Sequence, residues 1–179
     1  MCFCLRKKIC PNGKKAYLDF LDDKDGEYLS FALGNIDDDD IPELYMSGGC
    51  EATGDSISSY KSGEVVEEHL NRIGGGRYIE KGGEVLNQNG NMGNCYTHAY
   101  KLTDDGFMFT FTAYSAEHII NVENDEYDIT YEFSVEDVPV TEQEYNDALN
   151  KAFDFDKSKR LNENTVSYDV IIAQISNFN

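Results

Sequence analysis

The strongest constraint on this chain is the period of its apolar residues. Through the middle of the sequence they recur at every second position: Tyr96, His98, Tyr100 and Leu102, then Phe107, Phe109, Phe111 and Ala113, then Tyr127, Ile129, Tyr131 and Phe133. Successive side chains of an extended strand point to opposite faces, so each run reads as a strand with one face buried. Compact turn signals separate such runs. Ser62-Gly63 stands between 57–60 and 64–68, Gly82-Gly83 between 77–80 and 84–86, and Asp104-Asp105-Gly106 follows Leu102. These are the reversals that antiparallel hairpins require. Nearer the N-terminus, Leu29, Phe31 and Leu33 alternate with Ser30 and Ala32, and Leu44 and Met46 oppose Tyr45. The spacing predicts a mainly β (α+β) domain built as an antiparallel hairpin or meander sheet.

The period changes at both ends. Tyr17, Leu18, Phe20 and Leu21 form a short helical stripe within 15–24, which Gly26 interrupts. Thr141-x-x-Glu144 is a capping box, and Tyr145, Ala148, Leu149, Ala152 and Phe153 then recur on one helical face. A polar connector, 154–164, leads to a second helix whose expected buried side is Val170, Ile171, Ile172 and Ile175. The expected organisation is a ragged segment over 1–13 and a single β-rich domain over 14–179, helical from about 141. A chain of 179 residues is long enough to fold without staples.

Charge narrows the partners. Fifteen Lys and Arg face 34 Asp and Glu, a formal charge of −19. Such a field repels nucleic acid and anionic lipid and favours cations. Five cysteines, Cys2, Cys4, Cys10, Cys50 and Cys95, leave at least one unpaired within the chain. Their spacing makes no zinc motif, and Cys50 and Cys95 are left as a possible pair across a sheet. No apolar run is long enough for a transmembrane segment or a signal peptide. The expected location is extracellular or at the cell surface if a leader has been removed, and otherwise cytoplasmic.

The strongest chemical signal is Asn35-Ile36-Asp37-Asp38-Asp39-Asp40-Ile41-Pro42-Glu43. Calcium takes six to eight oxygens at about 2.3–2.6 Å. The side chains of Asn35, Asp37, Asp39 and Glu43, with the Ile41 carbonyl, alternate along this loop as such a ligand set. Without a cation the four aspartates repel one another, at about 1 kcal/mol for each close pair near a surface. An EF-hand is excluded, because Met46 stands where the bidentate Glu belongs and the flanks read as strands. The competing interpretation is an acidic surface turn that binds nothing.

The loop resembles the calcium loop of FG-GAP repeats, found in the β-propellers of integrin α-subunits. There the form is roughly D-x-D-x-D-G-x-x-D between two strands. The resemblance implies a propeller-blade-like sheet, with Asn35, Asp37, Asp39, Ile41 and Glu43 as calcium ligands. Asn35 departs from it by removing a charge, and Asp40 stands where Gly usually takes a left-handed turn. Over about 15–155 the chain also resembles an uncharacterised group of secreted or lipid-anchored proteins of gut Firmicutes. Phe31-Ala32-Leu33 through Leu44, Asn91-Met92-Gly93, Tyr100-Lys101-Leu102, and the run from Thr141 to Leu149 carry that likeness. It implies a secreted location and no reaction.

Catalytic patterns are lacking. There is no G-x-S-x-G turn, and no pair of histidines stands at helical ligand spacing among His69, His98 and His118. Cys95 and His98 fall on opposite faces of one strand. Glu117, Glu123 and Glu126 read as a solvated loop after the Phe-rich strand. The glycine clusters around Gly75 and Gly90 serve turns. The expected function is therefore a non-enzymatic, calcium-stabilised β-domain that binds a protein or glycan partner at the cell surface. The rivals are a carboxylate-dependent hydrolase and an intracellular protein whose acidic face captures a basic surface.

Overall fold

The computed structural model describes residues 11–24, 26–50, 52–70, 74–123 and 126–177. Cys2, Cys4 and Cys10 lie outside them. Helix α1 (Pro11–Asp23) starts at a proline, whose fixed φ suits a first helical turn, so 11–13 join the helix rather than a ragged segment.

Four strands follow: β1 (Ser30–Gly34), β2 (Glu43–Ser47), β3 (Asp55–Lys61) and β4 (Glu64–His69). They form an antiparallel meander in chain order. That is the up-and-down order of a single propeller blade. The second sheet comprises β5 (Gly76–Ile79), β6 (Glu84–Asn91), β7 (Asn94–Thr103), β8 (Gly106–Glu123), β9 (Glu126–Val135), β10 (Val138–Pro139) and β11 (Ser158–Arg160). Its order is β10-β9-β8-β7-β6-β5-β11, all antiparallel. Helix α2 (Glu142–Ala152) precedes β11, and α3 (Tyr168–Ser176) follows it. The β3–β4 turn places Ser62 at φ 52° and Gly63 at φ 104°. A left-handed pair of this kind matches the twist of the flanking strands.

The layers run helices, sheet, sheet, helix. Phe31, Leu44 and Met46 pack on Tyr17 and Leu21 of α1 and on Ile171 and Ile175 of α3. Ala32, Tyr45 and Ile57, on the other face of the same sheet, meet Val85, Tyr100 and Leu102 of the second sheet. The far side of the second sheet puts Phe111, Ala113, Phe133 and Val135 against Tyr145 and Leu149 of α2. Each large apolar side chain fully buried here contributes roughly 1.5–3 kcal/mol.

Several expectations change. Phe107, Phe109, Phe111 and Ala113 do not share a face. The β7–β8 register shifts at Ala99/Tyr100, an irregularity that inserts one residue into β8. Phe107 therefore joins the inter-sheet core, while Phe111 and Ala113 join the α2 side. Glu117, Glu123 and Glu126 lie in strands rather than a loop, because β8 runs 18 residues and pairs with β9 to its end. The connector 154–164 contains a 3-10 turn (Phe155–Lys157) and β11, which closes the edge of β5. Val170 is 44% exposed, since Ile171 and Ile175 already fill the buried stripe of α3. Leu29 points outward at 68% exposure. Cys50 and Cys95 are not joined by a disulfide. Among the described residues, no helix is long and apolar enough to cross a membrane.

Candidate metal centre

The acidic loop connects β1 to β2 and closes over one end of the inter-sheet core. Glu43 opens β2 two residues before Tyr45, so both point toward the second sheet. Ser59 and Lys61 continue the same face of β3 from Ile57. Register thus brings an acid, a hydroxyl and an ammonium to one end of one face.

The loop is held by its own side chains. The Asp39 amide donates to Asp37 Oδ1 (3.1 Å), and the Ile41 amide donates to Asp39 Oδ1 (2.7 Å). Aspartate favours turns through such side-chain-to-backbone bonds. The Ile36 amide donates to Glu43 Oε2 at 2.7 Å, tying the loop's start to its end. The Ser59 hydroxyl donates to Glu43 Oε1 at 3.0 Å.

The same loop docks on the second sheet. The Lys81 amide donates to the Asn35 carbonyl (2.9 Å), and the Gly83 amide to the Ile36 carbonyl (2.7 Å). Lys81 Nζ stands 3.5 Å from Asp38. The acidic segment is therefore a clasp between the β1–β2 hairpin and the β5–β6 turn.

Carboxylate oxygens of Asp37, Asp39 and Glu43 lie within 4.8 Å of one another, and this cluster of three acids could hold a metal ion. Asn35 is buried at one end of the loop, and Ile41 is half-buried near the other. No residue of 35–43 has a positive φ, so Asp40 does not take the left-handed turn that the FG-GAP form places at this position.

A cation already reaches the centre. Lys61, only 8% exposed, donates to Asp37 Oδ2 and, at 2.7 Å, to Asp39 Oδ2. Burial opposes its charge, but the hydrogen bonds and charges of Asp37 and Asp39 outweigh that and raise its pKa. One ammonium leaves the acids undercompensated. Glu43, 1% exposed, has its pKa pushed up to about 7, first by burial and further by the charges of Asp37 and Asp39. The hydrogen bonds from Ile36 and Ser59 oppose that rise.

No family model matches the chain, and comparison with curated proteins and with solved structures gives no match. The site must therefore be read from its own chemistry.

Sequence reasoning missed Lys61 and Ser59. Tyr60-Lys61 is legible as the opening of a hairpin, a phrase repeated at Tyr100-Lys101. Nothing local says that this ammonium, 24 residues from Asp37, swings into the acidic loop. Strand register decides it. His98 packs edge-on against Phe109, with ring centroids 5.5 Å apart, and takes no part in the centre.

Proposed function

We propose that the chain is a non-enzymatic β-module whose two sheets are braced by calcium at Asp37, Asp39 and Glu43, and that it serves as a secreted or cell-surface binding domain. The observation that carries this reading is the convergence of three carboxylates on a loop hydrogen-bonded to both sheets. Asn35 and the Ile41 carbonyl would complete the oxygen set. Calcium suits oxygen ligands in a flexible loop better than the soft metals, which seek Cys and His.

Calcium would enter by displacing the Lys61 ammonium. It carries twice the charge, so it relieves the repulsion that Lys61 leaves at Glu43. The exchange makes the site weak, in the range that fills at the near-millimolar calcium of extracellular fluids. Binding to the folded form alone stabilises by about 2.7 kcal/mol at a hundredfold excess over Kd.

A hydrolytic reading would use Glu43, an acid of raised pKa lining a cleft. Both its oxygens already accept hydrogen bonds, and Asp37 and Asp39 are held by Lys61 on the loop side. Asp37, Asp39 and Glu43 are thus all engaged, which favours the binding module.

Melting the protein in millimolar calcium and in chelator tests the brace. The midpoint should rise with calcium, and Asp37→Asn with Asp39→Asn should abolish the rise. An unchanged midpoint across calcium concentrations would end the reading.

A further inference from the structure

Strand β9 has an open edge. Strand β10 pairs with it only at Ser134 and Val135, and the Val140 amide adds one bond to the Phe133 carbonyl at 3.0 Å. Thr141 then caps α2, which packs on the face of the sheet and leaves its edge. From Glu126 to Glu132, β9 has a strand partner on the β8 side alone among the described residues.

In a strand, the main-chain N–H and C=O of every second residue point to the same side. Phe133 turns its carbonyl away from β8, so Tyr131 and Ile129 turn theirs the same way. The register shift at Ile119/Asn121 adds its residue to β8 and leaves β9 regular. Both residues therefore offer N–H and C=O groups at the open edge. Their side chains lie on the face that α2 covers at Phe133 and Val135, and both are exposed beyond it. An edge that combines unpaired main-chain groups with exposed apolar side chains is a template for another strand.

Charge selects that strand. Beside Tyr131, a hollow of about 550 Å³ is lined by Glu117, Glu142 and the rings of Tyr131 and Phe133. Both glutamates are exposed, and no Lys, Arg or His stands among the described residues that line it. The two rings stack with centroids 6.4 Å apart, a flat wall on which a guanidinium can lie. On the opposite face of β9, Asp128 and Glu132 are exposed. A second copy of the chain is a poor occupant, because pairing β9 with β9 would bring these acids together across strands.

We propose that the edge of β9 takes up an extended, basic segment of a partner protein as an added antiparallel strand. Its main chain pairs with Ile129 and Tyr131. One Arg side chain crosses the Tyr131 ring into the hollow between Glu117 and Glu142, a small apolar side chain lies beside Ile129, and Lys side chains on the other face meet Asp128 and Glu132. Strand addition of this kind draws affinity from the main chain and specificity from alternate side chains. The inference rests on the binding-module reading and names its partner, and it shares no residue with the calcium brace.

The test is a titration of the full chain, in calcium, with the blocked peptide Thr-Lys-Arg-Thr-Val-Lys-Thr, read by amide chemical shifts and hydrogen exchange. Saturable shifts are expected at Glu117, Ile129 and Tyr131, and the Ile129 and Tyr131 amides should exchange at least about tenfold more slowly. A peptide with Glu in place of Lys and Arg, and one N-methylated at its Arg and Val, should each bind at least about tenfold more weakly. Tyr131→Lys, which puts a like charge on the edge, and Glu142→Gln should weaken the basic peptide several-fold, with circular dichroism confirming the fold. Unslowed exchange at Ile129 and Tyr131, an undiminished response to the N-methylated peptide, or shifts spread over the acidic surface would each overturn the assignment. Protection of the same amides that rises with protein concentration in the absence of peptide would give the edge to a second copy and overturn it as well. Calcium melts on the same samples keep the readings apart: edge protection without a calcium response removes the brace alone, and the reverse removes this partner alone.

Discussion

The first sheet and the distal half of the β8–β9 ribbon share an alternating apolar pattern and end in opposite surroundings. Strand β2 is buried along its whole length, with α1 and α3 on one face and the second sheet on the other. The ribbon is covered by α2 only as far as Phe111, Ala113, Phe133 and Val135. Beyond that, Ile119, Ile120, Ile129 and Tyr131 are 57%, 64%, 44% and 60% exposed. Alternation states which residues share a face. It does not state whether another layer reaches that face. The charged clasp sits where two layers meet, and that coverage is what turns a solvated acidic turn into a buried centre.

The comparison is broken most directly by truncation. Ile57→Ala, in the doubly covered sheet, should cost about 2–5 kcal/mol in urea unfolding. Ile129→Ala, on the ribbon, should cost less than about 0.5 kcal/mol. Equal costs would mean that the ribbon is packed in solution.

Removing the internal cation comes next. Lys61→Met should lower the stability of the calcium-free protein by about 3 kcal/mol, because two carboxylates lose their partner. It should also tighten calcium binding, since the competing ammonium is gone, as calorimetry would read. Loss of calcium binding in this variant would show that Lys61 holds the loop in shape rather than competing for it.

Acid–base behaviour sharpens the same contrast. Glu43 is raised to about 7 in the fold from an ordinary 4.5, so the folded state holds its proton more tightly than the unfolded chain. In chelator, its contribution is fully present below the ordinary value and is lost as pH rises through about 7, by about 3 kcal/mol for a shift of this size. Glu43→Gln should flatten that slope in denaturation series at pH 4.5 to 7.5. A slope of opposite sign would place the buried charge elsewhere.

The smallest effect is at the cover of the ribbon. The Thr141 hydroxyl accepts from the Glu144 amide, and the Glu144 carboxylate accepts from the Thr141 amide. Thr141→Ala should cost about 1 kcal/mol. Hydrogen exchange should then speed up in α2 and in the Phe111–Val135 half of the ribbon, and leave the first sheet unchanged.

Much of the architecture was legible because it is written in local chemistry. The turn at Ser62-Gly63, the strand through Leu44, Tyr45 and Met46, and the capped helix from Glu142 follow from period and turn residues alone. The errors arose where a non-local fact intervened. A bulge at Ala99/Tyr100 moved Phe111 to the other side of its sheet, and β11 was hidden in a polar connector because three residues at a sheet edge need no apolar pattern. The exposure of Val170 followed from a buried stripe that needed only Ile171 and Ile175.

By itself the sequence determined an antiparallel β chain with a capped C-terminal helix and four aspartates crowded into one short loop, because hairpin turns, capping and like-charge crowding act between near neighbours. Only the tertiary structure decided that this loop clasps two sheets, that Glu43 is buried, and that the Lys61 ammonium stands among the acids. Strand register and the docking of one sheet on another join residues far apart in the chain, and no local pattern encodes which charge will meet which.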